Sequence, residues 1–163
     1  MKNAPFLIDE QGEWYYNHSK ITRKSMVKLF SSILVRDNDN TFHLRTPIED
    51  VLVEVLDVPY IVTSLDMVNR NNLKYISFTT NVDTKFIVGK KNPIWVEDKK
   101  NSNQLIPYAK VNNGLLARIS RSVYYEMANL LENKKVDNIL YNGVFSGKEF
   151  FNLDKPDLRS NFI

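Results

Sequence analysis

Arg118 and Arg121 flank an Ile119-Ser120 junction, where an apolar strand pattern gives way to an amphipathic helix pattern. Arg121 falls in the first turn of that helix, where the helix dipole disfavours a cation. Two readings are open. The arginine pairs with a nearby carboxylate, or its guanidinium fork joins free amides at the helix start to form an anion site. Little else in the chain has the types and spacing for chemistry. His18 and His43 are the only histidines, there are no cysteines, and neither histidine sits in an HxH or HExxH spacing. A zinc site, an iron–sulfur cluster and a thiol nucleophile are therefore not expected. His43 reads as a solvent-facing strand residue and His18 as part of a turn. No GxSxG, GxxxxGK[ST] or GxGxxG motif occurs, and five glycines leave little with which to build a phosphate cradle. The acidic pairs Glu49-Asp50, Asp37 with Asp39, and Glu97-Asp98 lie in or beside turns, where carboxylates cap amides and face water. Asp57 follows an apolar strand and precedes Val58-Pro59-Tyr60, so it is expected to be partly buried and to tie down the turn. No catalytic residue, metal or cofactor is predicted.

The elements that must hold these residues follow from periodicity. Phe6 to Asp9 and Glu13 to Tyr16 read as strands joined by Gln11-Gly12. A helix capped by Thr22 follows, with Met26, Phe30, Ile33 and Leu34 on its apolar face. The period then becomes two through Phe42–Thr46 and Val51–Leu56. Further strands are expected over 60–65, 74–79 and 85–88, with a short edge strand at Ile94-Trp95-Val96. Strands over 107–111 and 115–119 flank Asn112-Asn113-Gly114, a hairpin signal. A second helix opens at Ser120, with Val123, Met127, Leu130 and Leu131 on its apolar face, and closes at Asn133-Lys134-Lys135. Asn142-Gly143 reads as a further hairpin turn. Ile21-Thr22-Arg23 and Ile119-Ser120-Arg121 each open a helix shortly after a glycine turn and a strand. The residues alone are compatible with an internal duplication, and equally with two unrelated capped helices.

At 163 residues the chain suits one medium domain or two small packed ones, with enough core to fold unaided. The net charge is +3, and the densest basic group, Lys85, Lys90, Lys91, Lys99 and Lys100, is interrupted by Glu97 and Asp98. That pattern is a solvated loop face rather than a nucleic-acid stripe, so no nucleic-acid partner is expected. The short apolar start is stopped by Asp9-Glu10, and no apolar run approaches the ~20 residues of a membrane span, so a cytoplasmic location is expected.

Ordered short motifs then point to a family. Ile8-Asp9 with Gly12 and Trp14, Ile21-Thr22-Arg23, Thr46-Pro47, Asp57-Val58-Pro59-Tyr60 and Thr80-Asn81 occur in the first part. Pro107-Tyr108, Ala117-Arg118-Ile119-Ser120-Arg121, Tyr124-Tyr125-Glu126 and Gly143-Val144-Phe145-Ser146-Gly147 follow. Together they resemble the bacterial domain-of-unknown-function family 1285 over about residues 6 to 153. Leu56 and Val58 depart from it, standing where the family tends to have an acidic and a small residue. The resemblance implies a duplicated α+β architecture. Its smaller N-terminal half would cover 1–72. Its C-terminal half, 73–153, would resemble a pleckstrin-homology domain, a curved antiparallel sheet or barrel with a helix, and 154–163 would be a loose tail. It also implies a nucleotide-like ligand between the halves and a part in signalling. On that basis Arg118, Arg121, Tyr108, Asn81, Asp57 and Ser146 are the expected ligand-binding residues. A protein-interaction adaptor using a sheet edge or the Tyr124-Tyr125 region is the alternative. An enzyme acting on a phosphorylated metabolite is third.

Overall fold

The computed structural model describes residues 4–99 and 104–156. β1 (Phe6–Ile8) and β2 (Trp14–Tyr16) form an antiparallel hairpin, and β3 (Ser19–Lys20) extends it. Helix α1 (Lys24–Ser32) follows, and then the meander β4 (Leu34–Arg36), β5 (Phe42–Arg45) and β6 (Asp50–Val55). β6 returns parallel to β1, giving a six-stranded sheet of order β3-β2-β1-β6-β5-β4. The alternation expected of β5 and β6 holds on the inner face, where Leu44 and Val53 are buried. The helix differs at both ends. Its N-cap is Arg23 and no side chain caps it. Val27, Phe30 and Ile33 face the core, Met26 is exposed, and Leu34 already belongs to β4.

The second half starts at once. β7 (Tyr60–Arg70) turns through Asn71 and Asn72, both with left-handed φ, into β8 (Leu73–Thr80), and β9 (Lys85–Ile87) follows. Paired left-handed residues suit the twist of a two-residue hairpin, and asparagine tolerates them best after glycine. β10 (Ile94–Asp98), β11 (Leu105–Lys110) and β12 (Leu116–Ile119) form a second meander, and β12 lies parallel to β7. The resulting sheet, β10-β11-β12-β7-β8-β9, has two free ends, so these strands form an open sheet and not the closed barrel that was one expectation. Because β7 is a central strand of this second sheet, the chain passes between sheets at 56–59, not near residue 72. Helix α2 (Arg121–Ala128) is capped by Ser120, whose hydroxyl accepts the Val123 amide, and it leads to β13 (Glu132–Val136), β14 (Ile139–Ser146) and β15 (Glu149–Asn152).

Two features of this last region overturn the periodicity reading. Asn133-Lys134-Lys135 lies within β13 rather than at the end of a helix, because α2 stops at Asn129 and the polar segment pairs with β14. Asn142-Gly143 lies within β14. The turn is instead made by Asp137 and Asn138, again both left-handed. The expected tail lies mostly outside the described residues.

The element order hairpin–helix–three-strand meander occurs twice, as β1 to β6 and as β11 to β15, which makes the architecture a duplicated α+β one. In the first copy the meander joins the hairpin's sheet; in the second it forms its own three-stranded sheet. One core runs through both halves, with Ile8, Trp14 and Val53 in the same cluster as Val62, Phe78, Ile119 and Met127. A smaller cluster, Val58, Trp95, Tyr108 and Leu116, lies beside the inter-half connection. Among the described residues no helix is long and apolar enough to cross a membrane.

Candidate functional site

The turn between β1 and β2 is built by Asp9. Its carboxylate accepts the amides of Gln11 and Glu13 at 2.9 Å each, and its carbonyl accepts Gly12 N–H at 3.0 Å. This is the Asx-type closure that aspartate favours. The turn rests against the second half. Asn81 Nδ2 donates to the Gly12 carbonyl at 3.2 Å, and Arg118 Nη2 donates to the Glu10 carbonyl at 2.6 Å. Lys24 and Lys28 of α1 reach Asp83 at 3.2 and 2.6 Å, and Tyr60 donates to the Ser31 carbonyl at 3.3 Å.

Beside this junction lies an open groove of about 710 Å³. Its lining includes Gln11 of the first half and Ile61, Pro107, Arg118, Arg121, Tyr124 and Tyr125 of the second. Arg121 is exposed and makes no ion pair among the described residues, so the carboxylate pairing open from sequence is not seen there. Tyr125 is 65% exposed, whereas Tyr124 donates its hydroxyl to the Leu153 carbonyl at 3.2 Å, and burial raises its pKa above the ordinary phenol value. Of the first-turn amides of α2, that of Val123 is taken by Ser120.

The other four expected residues lie elsewhere or act indirectly. Tyr108 is buried and donates to both Asp57 oxygens, at 3.1 and 3.2 Å, and its ring stacks on Trp95. Burial, then the Asp57 charge, pushes the Tyr108 phenol far above its ordinary value, so it remains a donor at any working pH. Asp57, as the sequence suggested, is partly buried and ties the inter-half connection, with Lys99 at 3.7 Å and Arg118 at 3.9 Å. Arg118 thus joins this cluster to the groove. Asn81 lines the half–half junction. Ser146 is fully buried: it accepts the Ile76 amide at 3.0 Å and donates to the Val88 carbonyl at 2.7 Å, so its hydroxyl is committed to the fold. Gln11, Ile61 and Pro107 were not expected. Only the Gln11-Gly12 turn signal could have drawn attention to the first.

A second polar cluster lies on the β4–β5–β6 surface. Arg45 forms a bidentate pair with Asp37 at 2.8 and 2.9 Å and reaches Asp50 at 2.9 Å, while His43 Nδ1 meets Asp50 at 2.7 Å. His43 is therefore engaged rather than simply solvent-facing. Hydrogen bonds from Arg45 hold both carboxyls below the usual carboxylate range. A carboxyl depressed in the folded state stabilises the fold above its unfolded pKa, near 4, and loses that contribution as pH falls through its folded value. The contribution of this pair is thus intact at neutral pH and disappears only in acid. In Arg45→Ala, both carboxyls are expected to titrate back toward the ordinary range in a carboxyl-carbon NMR titration. Unchanged titration would contradict the assignment. Among the described residues no group of three or more His, Cys, Asp or Glu is placed to hold a metal ion.

Comparison with known proteins accords with this architecture. Residues 1–58 match the N-terminal domain model of a domain of unknown function, DUF1285, and residues 59–153 match the C-terminal domain model of the same family. The boundary between the two models falls where β6 gives way to β7. No curated protein matches the chain. A DUF1285 family protein from Silicibacter pomeroyi DSS-3 is 30% identical, with a TM-score of 0.82 over 98% of this chain and 84% of that one. Another, from Shewanella baltica OS155, is 25% identical, with a TM-score of 0.62 over 79% of this chain and 94% of that one. With both domain models matched in order along one continuous core, the chain belongs to the DUF1285 family.

Proposed function

We propose that the protein is a binding module for a small anionic ligand of the nucleotide kind, seated in the groove between the β1–β2 turn and α2. The observation that carries this reading is the convergence of two guanidinium groups on one groove, with Arg121 unpaired among the described residues and Tyr125 exposed beside it. A guanidinium fork suits phosphate oxygens, an exposed phenol ring suits a planar base, and grooves between structural halves are common ligand sites. The pleckstrin-homology likeness expected for the second half names no ligand, because fold analogy does not select one. An enzymatic role finds less support. Tyr108 and Asp57, the acid–base-capable pair that Arg118 joins to the groove, already serve each other.

A panel of nucleotides and pyrophosphate tested by thermal shift is expected to raise the unfolding midpoint for at least one member. Arg118→Ala and Arg121→Ala should each weaken that response about tenfold, or about 1.4 kcal/mol, while remaining folded. A response unchanged in the double variant would refute the reading.

An adaptor role has one observation in its favour. Leu131, Val136, Ile139 and Leu140 are 41–54% exposed and lie along the β13–β14 hairpin and the segment leading into it. Exposed apolar groups of this kind mark contact surfaces when they are contiguous. A photo-crosslinking residue at Leu140 should give one defined adduct in cells if the hairpin docks a protein. A smear or no adduct would count against it.

A further inference from the structure

We infer that Asn81 is a positioning residue for the groove, so that the anion site is complete only when the first half is docked on the second. The inference rests on the anion-binding reading for its functional meaning but stands on separate contacts. Asn81 bridges the halves with its whole side chain. Its Oδ1 accepts the Ile61 amide at 3.1 Å, its Nδ2 donates to the Gly12 carbonyl at 3.2 Å, and its own amide donates to the Ile61 carbonyl at 2.8 Å. Gly12 lies flush against this surface. Its φ is +80°, and a Cβ there would come within 2.7 Å of Ile61 Cγ1 and 2.8 Å of Asn81 Nδ2.

The β1–β2 turn passes this fixed point on to the groove. Asp9 closes the turn through four hydrogen bonds to residues 11–13, so Glu10 and Gln11 cannot shift independently of Gly12. The Glu10 carbonyl accepts Arg118 Nη2 at 2.6 Å, whereas the carboxylate that pairs with that guanidinium, Asp57, is 3.9 Å away. The first half's turn is therefore the nearer restraint on Arg118. Asn81 itself does not line the groove. It acts through the turn and the turn acts through Arg118. Binding linkage is reciprocal, so a ligand held by the positioned Arg118 stabilises half–half docking by the same factor that docking raises its affinity.

The test compares arginine modification by phenylglyoxal, mapped by mass spectrometry on the full chain, in the wild type, Asn81→Ala and Asn81→Asp. Aspartate keeps an acceptor for the Ile61 amide but removes the donor to Gly12, so it guards against a misfolded alanine variant. Arg118 is expected to react at least fivefold faster in both variants, with Arg121 unchanged. Lys24→Ala, which breaks a different contact between the halves, should leave both rates unaltered. In the same proteins the pyrophosphate dissociation constant should rise about tenfold in Asn81→Asp. Unchanged Arg118 reactivity in a folded Asn81→Asp protein would overturn the inference, as would an equal rise in Lys24→Ala. If pyrophosphate fails to bind the wild type, the anion reading falls, and the Arg118 rates still decide the positioning role.

Discussion

Alanine at Gly143 is expected to lower stability by about 3 kcal/mol, a larger effect than a surface Gly→Ala change would produce. Gly143 sits in the middle of β14, paired on both sides, with Glu132 and with Asn152. A Cβ at this position would overlap the Phe151 carbonyl oxygen and come within 2.8 Å of the Phe150 ring. The first obstacle is backbone and cannot rotate away, so the β14–β15 pairing must open locally. For a chain of this length the thermal midpoint should drop by roughly 6–12 °C. If Gly143 were instead a turn glycine in an Asn-Gly hairpin, its close approach to β15 would not matter. A Gly143→Ala protein that melts within 2 °C of the wild type would contradict the strand assignment.

Ser146→Ala is expected to cost about 2–4 kcal/mol, because it leaves two buried backbone groups without a partner at once. Among the described residues the Ser146 hydroxyl is the only side-chain partner of the Ile76 amide and the Val88 carbonyl, and Ser146 is 0% exposed. It ties the third sheet to the second at a point where no strand pairing joins them. Denaturant unfolding monitored by fluorescence should show a lower midpoint with an unchanged slope. Ligand affinity should not change, since the residue lies outside the groove. Reduced anion affinity without lost stability would instead restore Ser146 to the site.

Sequence reasoning reached furthest where one residue type dictates local geometry. Ser120 caps α2 as expected, the alternation of β5 and β6 places Leu44 and Val53 inside, and Asn113-Gly114 makes the predicted hairpin. It failed where a tertiary partner decides. The polar run 132–136 is a strand because β14 lies beside it, and β14 passes through Asn142-Gly143 because β15 needs the space a side chain would fill. Asp137-Asn138 makes a turn that glycine would have signalled more plainly.

The candidate site was legible in part for the same reason. Arg118 and Arg121 are three residues apart, and a strand-to-helix junction brings them to one groove. Asp57 announced its partial burial through its apolar neighbours, but its partner Tyr108 is 51 residues away and only the fold unites them. The Glu10 carbonyl that fixes Arg118 carries no side-chain signature, so no pattern in the sequence could have revealed it.

The proposed anion site is tested most directly by titrating pyrophosphate, and then a purine nucleotide, into protein with ¹⁵N-labelled arginine side chains, reading the Nε–H signals. The account predicts saturable shifts at Arg118 and Arg121, and Arg45, paired with Asp37 and Asp50 on a separate surface, should stay unmoved. Shifts spread evenly over all arginines, or none at Arg118 and Arg121, would contradict it.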